Sequence, residues 1–341
     1  MARGWSPLAE LSEELKKFIA HVAGLVDGYI YARVHGEPQA LYEAALHLIR
    51  AGGKRLRPVV VIAVAEALGE SAEKALPFAA AVELVHNFTL IHDDIMDRDE
   101  MRRGVPTVHK LWGEPMAITA GDLLFSKAFE VLSDAVDKGV PPARVVKAAR
   151  QLARASSIVA EGQALDMMFE EEEDIGVEDY LKMIYKKTGA LFEASAVLGG
   201  LASTEDEGLL GSLATYGRSI GIAFQIRDDV LSIIGEEEQL GKPVYNDIRE
   251  GKKTLPIIYA LEKLEEEERE RLRSILGRKD ASMDELREAA ELVKKSGAVE
   301  YAEKLAEEYM KRALAALTVL PENRYRKMLE ELAIFAVKRT K

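Results

Sequence analysis

The chain has 341 residues, 48% hydrophobic and 30% charged, and its 46 Lys and Arg against 58 Asp and Glu leave a net charge of −12. That balance argues against a nucleic-acid partner, because binding a phosphate backbone needs a basic surface; any phosphate must be met by locally placed cations or by metal ions. The lack of cysteine excludes disulfides, thiolate nucleophiles and Cys-ligated metal centres, and apolar runs such as Pro58–Ala65 fall far short of a membrane span.

The opening stretch MARGWSPLAELSEELKKF turns amphipathic at once and lacks the apolar core of a signal peptide, which predicts a cytoplasmic protein. Helical periodicity then runs nearly throughout, and strand alternation is nearly absent. Helices are predicted over roughly 7–34, 38–51, 57–69, 71–97, 114–137, 141–171, 177–199, 206–235, 254–264, 265–277, 282–296, 298–319 and 323–339, punctuated by glycine and proline. Their broad apolar faces suit a packed bundle. No Pro/Ser-rich linker or repeat divides the chain, so residues 1–341 are expected to form one large all-α domain. Three asparagines, five glutamines and Glu/Lys-rich runs such as Glu265–Arg273 resemble thermophile composition. The acidic stretch Glu170–Asp174 reads as a solvated helix end.

Polar chemistry concentrates at a few places. GGKRLRP, 52–58, sets Lys54 and Arg57 at a glycine-broken helix start, where free backbone N–H groups also favour anions. In HNFTLIHDDIMDRDEMRRG, 86–104, Asp93 and Asp97 are four apart and share one helix face, with Asp94 beside them. Like charges there repel, and acids at a helix C-terminus oppose its dipole. A cation between them removes both costs, and hard oxygen ligands suit Mg²⁺. A second apolar helix repeats the device in IAFQIRDD, with Asp228 and Asp229. Two acidic clusters on facing helices are a recurrent way to build a metal site. Arg102, Arg103, Lys186, Lys187, Lys242, Lys252 and Lys253 supply positive charge nearby in sequence, and together the two sets look like a diphosphate cage.

GGKRLRP, HDDIMDxxxxRRG, GQALDM, KTGALF, FQIRDD and GKPVYNDIREGKKT occur in the order and spacing of trans-isoprenyl diphosphate synthases. From about Ala40 onward the chain resembles that family, most of all its archaeal geranylgeranyl and farnesyl/geranylgeranyl members. The resemblance implies an all-α bundle around a central cavity, usually a homodimer. It implies that Asp93, Asp94, Asp97, Asp228 and Asp229 hold several Mg²⁺ ions, with Mn²⁺ as an alternative. Arg102, Lys187, Thr188, Gln225 and Lys242 would meet the allylic diphosphate (dimethylallyl, geranyl or farnesyl) or its leaving group. Lys54, Arg57, His86 and Arg103 would form the isopentenyl diphosphate pocket. Gln163 and Asp166 would support the metal and lysine region, and Lys252 would sit on a closing loop. Asp93, Asp94, Asp97, Arg102, Lys187 and Asp228 are the implied catalytic set.

One position departs from the family pattern: the second motif ends in Ser232 where an aspartate is usual. DDVLSIIGE, 228–236, also fits the loose metal motif of class I terpene cyclases, with Asp228, Ser232 and Glu236 as ligands. A cyclase, however, has no use for Lys54, Arg57 and Arg103 together. A non-catalytic subunit of a partner synthase is the third reading, and such a subunit is expected to have lost motif residues. Product length is expected to depend on Phe88, about 7.5 Å along the helix axis from Asp93, with Val85 and Val82 deeper. A single aromatic at this place, followed by Thr89, resembles the C20-forming type and predicts geranylgeranyl diphosphate, with farnesyl diphosphate as intermediate or co-product.

Overall fold

The computed structural model describes residues 11–172, 174–234 and 245–338. Its first helix, α1 (Glu13–Tyr31), starts where the Ser12 hydroxyl accepts the Leu15 N–H at 3.2 Å and Glu13 and Glu14 occupy the first turn, both favourable at a helix N-terminus. Helical spacing then buries Leu15, Ile19, Val22, Val26 and Ile30. There follow α2 (Gln39–Arg50), α3 (Leu56–Ala67), α4 (Ala72–Met96), α5 (Val108–Trp112), α6 (Glu114–Ser133), α7 (Pro142–Glu171), α8 (Val177–Ile184), α9 (Ala190–Leu201) and α10 (Glu207–Ile234). Helices Asn246–Glu250, Leu255–Lys263, Glu266–Ile275, Met283–Lys295, Ala298–Ala316 and Arg324–Lys338 follow among the described residues. The all-α expectation holds.

Two long helices set the frame. The α4 helix is buried nearly all round from Ala75 to Val85 because α3, α6 and α9 pack on it from different sides. The α10 helix lies against α9 and Ala298–Ala316. Its Gly217 is needed there, since a Cβ would stand 2.3 Å from the Phe192 carbonyl oxygen. No helix among the described residues is long and apolar enough to cross a membrane.

Two local features differ from the sequence expectation. The region after α4 carries a small antiparallel hairpin, Met101–Arg102 against Val105–Pro106. Its turn residues Arg103 (φ 53) and Gly104 (φ 77) both lie in the left-handed region, as a two-residue turn between twisted strands requires. Strands of two residues leave no periodicity to read. The expected single helix over 177–199 is interrupted by a π-helical turn, Tyr185–Gly189. An extra residue in one turn does not disturb an apolar pattern enough to show, but such turns occur often at functional sites.

Candidate active site

The C-terminal end of α4 brings its three acids into different surroundings. Asp93 and Asp97 keep 20% and 17% of their side chains exposed, whereas Asp94 keeps 1%. Arg102, presented by the hairpin, donates through Nε to Asp94 Oδ1. Its Nη2 lies 3.3 Å from Asp99 and 3.7 Å from Asp93. Burial pushes the Asp94 carboxyl up to about 6 despite this arginine, and burial also raises Asp97. Asp93 Oδ1 and Asp94 Oδ2 are buried with no hydrogen-bond partner. A buried carboxylate oxygen left without a hydrogen bond can take a cation as its partner.

Lysines from two further elements face these acids. Lys187 Nζ, on the π-helical turn, lies 2.5 Å from Asp166 Oδ2 of α7 and 3.6 Å from Asp93 Oδ1. Gly162 permits this meeting, because a Cβ there would stand 2.2 Å from the Lys187 backbone nitrogen. One turn on from Gly162, Asp166 then falls opposite the lysine, which gives the GQALD segment its physical sense. Lys252 Nζ lies 3.5 Å from Asp97 Oδ2 and 3.2 Å from Glu250 Oε2. Burial pulls its ammonium down, but Asp97 and Glu250 outweigh that and hold it above its ordinary value. The expected lysines Lys187 and Lys252 thus meet the first acidic motif; Lys242 lies outside the described residues.

The second motif divides between two roles. Asp228 is half-buried and Asp229 is buried. Asp229 accepts from the Tyr180 hydroxyl at 2.6 Å and from Gln225 Nε2 at 2.9 Å, and the Thr188 hydroxyl donates to Gln225 Oε1 at 2.9 Å. Burial, reinforced by the charge of Asp247, pushes Asp229 up to about 8. Ser232 donates its hydroxyl to the Asp229 backbone oxygen at 2.8 Å along its own helix, which leaves its oxygen lone pairs open. If Ser232 only fills a dispensable position of the motif, Ser232→Asp should leave turnover within about tenfold, a barrier change of about 1.4 kcal/mol. A steep rise in the metal concentration required would instead make Ser232 a ligand. Glu236, the third ligand in the cyclase reading, lies outside the described residues.

The basic residues of the expected second diphosphate pocket gather beside α4. Arg57 Nη1 is 3.3 Å from His86 Nε2, and its guanidinium lies 4.4 Å over the Phe192 ring. Burial lowers Arg57 to about 10, and its Nε is buried with no hydrogen-bond partner. Burial first, then Arg57, Arg103 and Arg102, hold His86 well below its usual value, so it is neutral at pH 7. Arginine can only donate, so His86 Nε2 accepts and Nδ1 carries the proton. Arg103 turns to the α2–α3 loop, donating to the Leu48 oxygen at 2.7 Å, to Asn87 Oδ1 at 3.4 Å and to the Gly52 oxygen. Lys54 Nζ sits 5.7 Å from the Phe335 ring of the last helix.

Sequence reasoning passed over Arg55, which is 3% exposed. Its guanidinium donates to Asp27 at 2.8 and 3.1 Å, to Glu83 at 3.1 Å and to the Gly52 and Ile49 oxygens at 2.9 and 2.7 Å. Glu83 also accepts from Asn87 Nδ2 at 2.8 Å. This cluster clamps the loop that carries Lys54 and Arg57. Arg55→Leu leaves Glu83 as a buried carboxylate without its cation, so unfolding by denaturant should show a loss of about 3–5 kcal/mol. A loss below about 1 kcal/mol, the size of an exposed pair, would contradict the clamp.

Phe88 packs in an aromatic column between α4 and α6: its ring centroid is 5.2 Å from Phe125 and 5.0 Å from His92, and Phe125 is 5.2 Å from Phe129. Five residues turn a helix by about 140° beyond a full circle, which is why Phe88 faces α6 while Asp93 faces the cations. Thr89 donates its hydroxyl to the His86 oxygen at 2.8 Å, and Val85 and Val82 are fully buried. A cleft of about 550 Å³ between α1 and α2 includes Tyr31, His35, Tyr42 and Arg50 in its lining but no residue of the acidic or basic motifs.

Among the described residues, no three acidic or histidine side chains converge as a ready-made metal cage. The part-exposed carboxylates of Asp93 and Asp97 instead suit an ion held by one or two protein carboxylates, with phosphate and water completing the shell. That is how Mg²⁺ is commonly bound.

A sequence profile of the polyprenyl synthetase family matches residues 38–293. The chain is 44% identical to geranylgeranyl diphosphate synthase of Saccharolobus solfataricus, over 97% of this chain and 99% of that one. It is also 44% identical to geranylfarnesyl diphosphate synthase of Aeropyrum pernix, over 93% and 100% of the two. The crystal structure of geranylgeranyl pyrophosphate synthetase from Pyrococcus horikoshii superimposes with a TM-score of 0.90 at 45% identity, covering 96% of this chain and 100% of that one.

Proposed function

The chain belongs to the polyprenyl synthetase family, and we propose that it condenses isopentenyl diphosphate with dimethylallyl, geranyl and farnesyl diphosphates to give mainly geranylgeranyl diphosphate. The observation that carries this reading is the pairing of two surroundings around α4. At one end of it Asp93 and Asp94 each keep a carboxylate oxygen without a hydrogen bond, beside Lys187 and Arg102, and Arg57 meets a neutral His86 two turns earlier. One suits a diphosphate carried with metal ions, the other a second, metal-free diphosphate.

The family uses divalent metal ions; we read Mg²⁺ here, with Mn²⁺ able to substitute. Asp93, Asp97 and Asp228 would hold the ions, with Asp94 and Asp229 behind them. Bound there, the ions would neutralise charge on the allylic diphosphate. As the allylic carbon–oxygen bond breaks, Arg102, Lys187 and Lys252 take up the charge growing on the departing pyrophosphate. Arg57, Lys54 and Arg103, with His86 donating from Nδ1, hold isopentenyl diphosphate so that its double bond reaches the allylic carbon. The new carbon–carbon bond forms, and a proton leaves to the departing pyrophosphate. No protein nucleophile is required. Water must be kept out, since it would capture the cation.

We further read a cytoplasmic homodimer. Leu111 and Ile118 on α5 and α6 are 50% and 46% exposed, apolar surface that a second copy would cover. The two alternatives make different demands on substrate. Pyrophosphate release by the purified chain with Mg²⁺ should require isopentenyl diphosphate and an allylic diphosphate together. Release from the allylic diphosphate alone would favour a cyclase, and no release would favour a regulatory subunit.

A further inference from the structure

Tyr180 is fully buried in an apolar cluster with Ile184, Ile222, Ile226 and Val230, where a hydroxyl without a partner is costly. Its partner is Asp229 Oδ2, 2.6 Å away across the α8–α10 contact. The other oxygen, Asp229 Oδ1, takes an N–H from Gln225 at 2.9 Å, and Gln225 Oε1 takes the Thr188 hydroxyl at 2.9 Å. Three elements are thereby joined by one line of hydrogen bonds: α8, α10 and the π-helical turn that also carries Lys187. With the Tyr180 hydroxyl on Oδ2, Asp229 Oδ1 stands as the acceptor for the Gln225 amide. Its nitrogen faces Asp229 and its oxygen faces Thr188, which leaves the second amide N–H for a substrate oxygen.

We infer that Tyr180 is a positioning residue for the allylic diphosphate: its hydroxyl fixes Asp229, Asp229 fixes the Gln225 amide, and that amide holds the Thr188 hydroxyl. The inference rests on the assignment of Gln225 and Thr188 to the allylic pocket. It adds a residue on α8, outside every acidic and basic motif, to the parts that shape this wall. A wall whose donors are oriented before substrate arrives loses less on binding than one that must order itself. Removing the hydroxyl leaves Asp229 Oδ2 unpaired, so the carboxyl group is free to turn and the Gln225 amide loses its fixed acceptor.

The test compares Tyr180→Phe with the unaltered chain in steady-state kinetics and in calorimetric binding of inorganic pyrophosphate with Mg²⁺. KM for the allylic diphosphate should rise about tenfold, and pyrophosphate affinity should fall by a similar factor, the size of one well-made hydrogen bond to a charged group. KM for isopentenyl diphosphate should stay within about twofold, because its pocket shares none of these bonds. In a Gln225→Ala background the same exchange should add nothing further. Equal effects on both substrates, unchanged pyrophosphate affinity, or a full additional loss in the Gln225→Ala background would each overturn the inference. Should Tyr180→Phe fail to fold, Gln225→Met cuts the same line of bonds nearer the substrate. It must then give the allylic-selective loss, and an unselective loss overturns the inference. An unaltered chain that does not elongate at all counts against the proposed function; a normal chain beside an unaffected Tyr180→Phe counts against Tyr180 alone.

Discussion

Asp93→Ala is expected to lower turnover at least about 10²-fold, comparable with removing a principal electrostatic stabiliser, while the fold survives. Both halves follow from the surroundings of the side chain. Its Oδ1 is buried without a hydrogen-bond partner and its ion pairs to Lys187 and Arg102 are long, 3.6 and 3.7 Å, so an alanine forfeits little, and it repels Asp94 and Asp97 on the same helix end. Its cationic neighbours keep other partners: Lys187 keeps Asp166 at 2.5 Å, and Arg102 keeps Asp94 and Asp99. Neither is left as an isolated buried charge. Steady-state rates at saturating Mg²⁺, beside a thermal melt, check this. Near-normal turnover with an intact melt would remove Asp93 from the metal-binding set. A collapsed melt would mean that the acid cluster holds the fold.

Phe88→Ala is expected to shift products beyond C20. The ring closes the space between α4 and α6 by packing on Phe125 and His92. Below it Val85 and Val82 are small, so an alanine leaves a passage rather than a new floor. Phe125 and Phe129 remain on the opposite wall, which predicts a longer but still bounded product. The ring is only partly buried, so the stability cost should fall at or below the lower end for such exchanges, about 3 kcal/mol. Product lengths are read by chromatography after dephosphorylation. An unchanged C15/C20 distribution in an active variant would put the floor elsewhere. The unaltered chain is informative too, since relatives of equal identity carry the names geranylgeranyl and geranylfarnesyl diphosphate synthase. A C25 main product would show that Phe88 does not stop the chain.

How much the sequence disclosed depended on how local the cause was. The acidic clusters on α4 and α10 were legible because Asp93 with Asp97, and Asp228 with Asp229, interrupt otherwise apolar helices with paired acids. Arg57 and His86 meet at 3.3 Å although nothing local pairs them; the family resemblance supplied that link. Arg55 looked like its basic neighbours, because its partners Asp27 and Glu83 each lie 28 residues away. The π-helical turn was hidden inside an unbroken helical pattern. Gly162 was visible only as a motif letter until the α7 backbone was seen to pass the Lys187 nitrogen. Tyr180 carried no signal at all, since an aromatic at helical spacing reads as plain core and its hydroxyl partner is 49 residues distant.

The central claim is that this single chain builds a longer isoprenoid diphosphate. The direct measurement is product identification after incubating the purified chain with isopentenyl diphosphate, dimethylallyl diphosphate and Mg²⁺, followed by dephosphorylation and chromatography against alcohol standards. The account predicts geranylgeraniol as the main product, with farnesol rising early and then declining or persisting as a minor component. A cyclic hydrocarbon, or unaltered substrates in a folded preparation, would contradict it.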